Sequence, residues 1–283
     1  MNVVEFKNVY KKRKGFALED LNLTIPKGFI TGFIGPNGSG KTTTIQMMMD
    51  ILQLDAGEIN IFGASHKDHK PKQNIGFVYD ELYIYDEFNI QKMKSVIAPI
   101  YETWNEELFQ KYLDIFELPT RKKIKRFSKG MKMKCSLLFA LSHEPEFIVM
   151  DEPTSSLDPI FRRELLEILQ ELMVRENQTI FISTHITNDL DRIADYVIFI
   201  YQGKILFQKS MEEIRQSYFV IQGKTNMLDA DTRALFTGLK ENSVQFSGLY
   251  NGNPTFFHDF KDDFIIEQAT LEDMMYFMTR KEQ

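Results

Sequence analysis

The densest chemical signal in the chain is Gly35-Pro36-Asn37-Gly38-Ser39-Gly40-Lys41-Thr42-Thr43, which fits the pattern G-x-x-x-x-G-K-[ST]. Glycines at that spacing let backbone N–H groups approach phosphate oxygens with no Cβ in the way. Lys41 brings a point charge for the outer phosphates, and the Thr42 hydroxyl is a hard oxygen that suits Mg²⁺. A second signal is Asp151-Glu152, which follows the apolar run Phe147 to Met150. A carboxylate that ends a buried strand can hold the shell of a metal ion. Its neighbour can polarise an attacking water. Either motif alone has an ordinary reading as a turn. Together they describe hydrolysis of a nucleoside triphosphate.

Chemistry of this kind needs elements that aim the groups at one point. Phe29 to Ile34 reads as a short buried strand entering the glycine loop. Ile45, Met48, Met49 and Leu52 then recur at i, i+3, i+4 and i+7, so a helix leaves the loop with its N-terminus toward the phosphates. Val3 to Val9 and Leu21 to Ile25 read as antiparallel partners, and Gly57 to Phe62 and Ile75 to Tyr79 as further strands. The stretch from about Phe88 to Leu141 is helical in pattern, with Trp104 to Leu118 amphipathic. A helix with Leu165, Ile168, Leu169 and Leu172 on one face leads to the strand Thr179 to Ser183. Alternation of helix and strand means a parallel sheet. Val197 to Tyr201 and Lys204 to Gln208 read as a hairpin around Gln202-Gly203.

The pattern changes near Ser217. Tyr218 to Gln222 and Ser243 to Leu249 read as strands, and Asn226 to Leu239 as holding a helix. Thr270 opens a last helix, with Asp273 as its capping-box partner. The expected fold is α/β of the P-loop type, with an antiparallel layer, a helical subdomain at about 86–141 and a small α+β part at the end. The expected domains are 1–215 for nucleotide binding and 216–283 as an accessory domain.

Composition narrows the setting. The 283 residues carry a formal charge of −6, which argues against nucleic acid as the main partner. No apolar run approaches the roughly 18 residues that span a bilayer, and no signal-peptide pattern opens the chain. The one cysteine, Cys135, makes no internal disulfide, so the chain is expected in a reduced, cytoplasmic compartment.

Longer runs of residues make the reading specific. Phe147 to Pro159, including Asp151-Glu152-Pro153-Thr154 and Leu157-Asp158-Pro159, resembles the Walker B and D-loop of ATP-binding cassette (ABC) proteins. Ser183-Thr184-His185 is similar to their histidine switch, and Phe127-Ser128-Lys129-Gly130-Met131 to their signature. The resemblance implies a head-to-tail pair of ATPase domains, as a homodimer or a paralogous heterodimer. Each ATP would lie between one domain's glycine loop and the other's signature. Glu152 would be the general base and His185 a γ-phosphate contact. Ser128, Lys129, Gly130 and Asp158 would act across the dimer. Thr42 and Asp151 would hold Mg²⁺. Asp158 before Pro159 also reads as a plain helix N-cap.

Departures from the family pattern mark this chain. Lys129 and Met131 stand where the signature has a glycine and a glutamine. Asp80 stands in the place of the metal-contacting glutamine, where it would bind Mg²⁺ through water or only position the loop. The aromatic residue that stacks on adenine should fall near Lys12 or Arg13, so Tyr10, Phe16 or the Arg13 guanidinium is expected there. The signature form, Asp80 and the run Ser183 to Leu190 resemble ATPase subunits of Gram-positive exporters of amphipathic peptides. That resemblance implies a separate transmembrane permease subunit and a place on the cytoplasmic face of the membrane. Leu82 to Phe88, with Tyr83 and Tyr85, would be its docking loop, or would pin the helical insert to the sheet. The alternative is a soluble ABC-type ATPase of ribosome or DNA. Such proteins carry paired cassettes, a long coiled coil or basic linkers, and none is read here.

Overall fold

The computed structural model describes residues 1–79, 87–155, 157–176, 178–258 and 264–280. The chain divides into two compact units, Met1–His185 with Ile198–Phe207, and Ile186–Val197 with Gln208–Gln283.

The first unit opens with long antiparallel strands, β1 (Asn2–Arg13) and β2 (Phe16–Pro26). Strand β3 (Ile30–Ile34) is buried at every residue and runs into the glycine loop. Helix α1 (Lys41–Met48) leaves that loop. Strands β4 (Ala56–Ile61) and β5 (Ala64–Ser65) complete a sheet of order β2-β1-β4-β5. A short helix α2 (His69–Lys72) leads to β6 (Ile75–Val78). Three helices follow, each opened by a side chain that accepts a backbone N–H. They are α3 (Ile90–Ile97) capped by Asn89, α4 (Glu106–Ile115) capped by Asn105, and α5 (Lys129–Leu141) capped by Ser128. Trp104, Phe109 and Phe139 pack ring to ring between α4 and α5. Cys135 on α5 is buried, and burial pushes its thiol up to about 12, so it is inert packing.

Next come β7 (Phe147–Asp151), α6 (Pro159–Glu176), β8 (Thr179–Thr184), α7 (Thr187–Ile193), β9 (Tyr196–Tyr201) and β10 (Lys204–Ser210). The six-stranded sheet has the order β10-β9-β3-β8-β7-β6, with β3, β8, β7 and β6 parallel. A parallel sheet is covered on both faces, which explains its near-continuous apolar spelling. Phe33, Phe147 and Phe181 share one core with Ile45 and Met48 of α1 and with Val4, Leu21 and Ile59 of the antiparallel layer. Each such side chain contributes roughly 1.5–3 kcal/mol on burial. That core clamps the root of the loop.

The second unit continues through α8 (Met211–Ser217), β11 (Tyr218–Lys224), α9 (Ala230–Ala234), β12 (Phe236–Glu241), β13 (Gln245–Asn251), α10 (Thr255–His258), β14 (Phe264–Gln268) and α11 (Leu271–Thr279). Its antiparallel sheet has the order β12-β13-β11-β14. The capping box of Thr270 and Asp273 opens α11 as its spelling predicts. Two strands differ from the sequence expectation. The helix expected within Asn226 to Leu239 occupies only Ala230–Ala234, and Phe236 to Glu241 is strand. Gly238 decides this: a Cβ there would meet the Phe277 carbonyl oxygen at 2.4 Å, so the close approach of α11 selects a glycine in a strand. Strand β14 carries no alternating pattern, having Phe264, Ile265 and Ile266 in a row, and its pairing with β11 defines it. No helix among the described residues is long and apolar enough to cross a membrane.

Candidate functional site

The glycine loop spans the gap between β3 and α1. Gly40 caps α1 at φ 115°, in the left-handed region, and a Cβ there would meet Leu18 at 2.5 Å and Phe16 at 2.9 Å. Gly38, at φ 80°, faces open space. The Pro36 carbonyl accepts from Ser39 N at 3.2 Å, and the Gly40 carbonyl accepts from both the N–H and the hydroxyl of Thr44 at 2.9 Å. The loop thus keeps its shape from within.

Lys41 is 6% exposed. Its Nζ donates to the Gly35 carbonyl at 2.7 Å and lies 3.5 Å from Glu152 Oε1. Glu152 follows β7 with φ +50°, a left-handed conformation that costs a non-glycine residue about 1 kcal/mol. Its N–H donates to the Ser183 carbonyl at 2.9 Å, which ties the turn to β8. The other carboxylate oxygen, Oε2, lies 2.8 Å from His185 Nδ1 and accepts from His185 N at 3.3 Å. One carboxylate therefore bridges the loop lysine and the histidine that ends β8.

Asp151 lies one residue earlier, 1% exposed, with neither carboxylate oxygen in a completed hydrogen bond. Burial raises its pKa against the smaller downward pull of the nearby Ser183 and Thr42 hydroxyls and of Lys41. A buried carboxylate short of partners beside a threonine hydroxyl is the donor set that Mg²⁺ takes, with phosphates and water completing the shell. The residues present fit that ion.

A cavity of about 660 Å³ opens over these groups, lined by the loop residues from Asn37 to Thr43 other than Ser39, by Glu152, Ser155 and His185, and by Arg13, Lys14, Gly15 and Phe16. It gathers the phosphate loop, the carboxylate and the histidine, and it adds the β1–β2 turn. Lys14 and Ser155 join the residues expected from the sequence; the Gly15 turn after four consecutive cations, Lys11 to Lys14, is the signal that places the first. Tyr10 is not among the lining residues. It sits on β1 opposite Ala56, with its carbonyl accepting from Asp55 N, whereas Arg13 and Phe16, the other two residues expected beside adenine, do line the cavity. Gly35, Pro36 and Ser39 are not among the lining residues either; the Gly35 carbonyl accepts from Lys41 and the Ser39 carbonyl from Gly203 N at 3.1 Å.

Ser128, Lys129, Gly130 and Asp158 also lie off this cavity. Ser128 accepts from Met131 N at 3.2 Å and caps α5. Asp158 Oδ1 accepts from Phe161 N at 3.0 Å and Ile160 N at 3.1 Å, and those N–H groups, Phe161 first, lower its pKa. Asp80 and the docking-loop residues Leu82 to Asp86 lie outside the described residues.

The comparisons agree with this geometry. A family model for ABC transporters matches residues 18–155. The bacitracin transport ATP-binding protein BcrA of Bacillus licheniformis is 32% identical over 204 residues, covering 71% of this chain and 67% of its own. The lantibiotic transport ATP-binding protein SrtF of Streptococcus pyogenes is 31% identical over 214 residues, 75% of this chain and 91% of its own. Among solved structures, an ATP-binding subunit of an ABC transporter matches with a TM-score of 0.69 at 26% identity, covering 75% of this chain and 92% of that one. A dimeric ATP-binding cassette bound to ADP and Pi shares the fold, with a TM-score of 0.66 at 22% identity over 74% of this chain and 98% of that one.

Proposed function

This chain belongs to the ABC transporter ATP-binding proteins and is an ATPase, and from that premise we propose that it drives an exporter of amphipathic peptides through a separate transmembrane permease subunit. The observation that carries the reading is the Glu152 carboxylate held 2.8 Å from His185 and 3.5 Å from Lys41 at the wall of one cavity. The peptide cargo is supported by two relatives named for bacitracin and lantibiotic transport. The cytoplasmic face of the membrane follows from the permease pairing.

The chain's own residues act as follows. Lys41 turns from the Gly35 carbonyl to the outer phosphates, where a charge-assisted bond replaces a neutral one. Glu152 Oε1, released from Lys41, accepts the proton of the attacking water while His185 Nδ1 holds Oε2. Thr42 and Asp151 would hold Mg²⁺, which offsets negative charge on the phosphates when bound. Arg13 and Phe16 flank the base. Ser128, Lys129, Gly130 and Asp158 serve the nucleotide of a second ATPase domain, since all four lie off their own cavity. Residues 1–215 are the ATPase domain in this reading, and 216–283 an accessory domain.

Purification from detergent-solubilised membranes tests the reading. A polytopic membrane chain should come down in stoichiometric amount, and the reconstituted pair should move an amphipathic peptide across a vesicle wall only with ATP. ATPase activity indifferent to every membrane chain would overturn the transporter assignment.

A further inference from the structure

Between Leu118 and His143 the chain holds eight Lys and Arg and no Asp or Glu, in a protein of net charge −6. The structure makes a fixed ridge of the first half of this run. Ile124 and Phe127, 0% and 6% exposed, pin a single turn of 3-10 helix over Ile124–Arg126. The Ile124 N–H donates to the Phe88 carbonyl at 2.9 Å. With the apolar anchors turned inward, Arg121, Lys122, Lys123, Lys125 and Arg126 are all left exposed.

One carboxylate already sits on the ridge. Glu87 Oε2 accepts from Lys123 Nζ at 3.0 Å, and its Oε1 accepts from Lys125 Nζ at 2.5 Å. That grip, from Lys125 first and Lys123 second, lowers the Glu87 pKa to about 2. Arg121, Lys122 and Arg126 have no ion pair among the described residues. The fold therefore displays a formed carboxylate clamp and, beside it, three cations that meet no anion among the described residues.

We propose that this ridge is a docking surface for an acidic polypeptide segment of a partner protein, whose carboxylates seat on Arg121, Lys122 and Arg126 as Glu87 seats on Lys123 and Lys125. Two features favour a polypeptide over a phosphate polymer or an anionic bilayer. The Glu87 clamp takes the two oxygens of one carboxylate on two separate ammonium groups, so the ridge already holds the kind of side chain an acidic segment would bring. The protein's overall negative charge also repels an extended polyanion, whereas a short acidic segment meets the ridge inside about one Debye length.

The test uses the full chain and a fluorescent glutamate-rich peptide, followed by anisotropy at low and high salt. Reversal of Arg121→Glu, Lys122→Glu and Arg126→Glu together should weaken binding roughly tenfold at low salt. Glu87→Gln, which frees Lys123 and Lys125, should tighten it roughly threefold, and Glu58→Gln, at an exposed ion pair with Lys7 on β4, should not. ATP hydrolysis without partner should stay at its wild-type rate in all of these, which reports that the variants are folded. If the triple variant fails that control, the contrast between Glu87→Gln and Glu58→Gln decides. Equal effects of those two, or unchanged binding by a folded triple variant, would overturn the proposal. Tighter binding to phosphatidylglycerol vesicles or to an RNA oligonucleotide than to the peptide would overturn it as well.

Discussion

In the six-stranded sheet every residue of β3, β7 and β8 is buried, whereas along β11 and β13 of the second unit buried residues mix with partly exposed ones. The difference goes deeper than exposure. Among the described residues, the buried side-chain atoms without a hydrogen bond, including Ser39 Oγ, Ser183 Oγ and both oxygens of Asp151, all fall in the first unit. So do all eight non-glycine residues with positive φ among the described residues, Glu152 included. The second unit instead packs Phe236, Tyr250, Phe257 and Phe264 ring to ring and satisfies its helix starts with two capping boxes. Unpaired polar groups and left-handed backbone thus gather in the unit that carries the cavity, where Glu152 lines it and Asp151 stands one residue before, while the second unit is packed for stability.

The sharpest way to break that contrast is Glu152→Gln. Hydrolysis should fall roughly 10²–10⁴-fold while nucleotide binding persists, because an amide cannot take the water's proton. A parallel titration with ATP separates the two effects, and near-normal turnover would remove Glu152 from the chemistry. In the second unit, Phe257→Ala should cost about 3–5 kcal/mol of stability by emptying a fully buried site. Calorimetry reads that loss, and a nucleotide affinity that fell just as far would erase the division of labour.

His143 offers a pH test within the first unit. Its ring stacks on Tyr101 at 3.8 Å, and neither nitrogen is hydrogen-bonded. Burial lowers its pKa to about 4 from the usual 6.5. The unfolded chain therefore takes up the proton first as pH falls, and stability is lost from about pH 6.5 down to about pH 4. His143→Phe should remove about 2–3 kcal/mol of that acid sensitivity. Denaturant melts at pH 7 and pH 4.5 that stay parallel to the wild type would contradict it.

Asp151→Asn should move stability and function in opposite directions. Replacing a buried, under-bonded charge should stabilise the nucleotide-free protein by about 1 kcal/mol while hydrolysis collapses. A drop in melting temperature would show that the carboxylate is satisfied after all. The smallest effect belongs to Thr270→Ala, which should cost the second unit about 1 kcal/mol through lost capping and leave turnover unchanged.

Most of the first unit was legible because its signals are local. A glycine loop must be glycine, a buried parallel strand must be apolar, and a cap must carry an oxygen, so β3, α1, β7 and α5 follow from short runs. The part of the cavity beside the β1–β2 turn was less so. Arg13, Lys14 and Phe16 reach it through the β1–β2 turn, and no rule of spacing separates them from Tyr10 three residues before Arg13. The second unit resisted for another reason. Strand β12 exists because Gly238 meets a helix nearly 40 residues later, and β14 because β11 offers it an edge. Such choices are made by tertiary contact and leave little trace in local propensity.

The lysine of the phosphate loop has a further consequence. A buried ammonium left alone would cost several kcal/mol. Here Lys41 meets the Glu152 carboxylate at 3.5 Å. Glu152 is thus the counter-ion of that lysine, and in the function proposed above nucleotide binding is an ion exchange: triphosphate would take over the ammonium and leave the carboxylate to the attacking water.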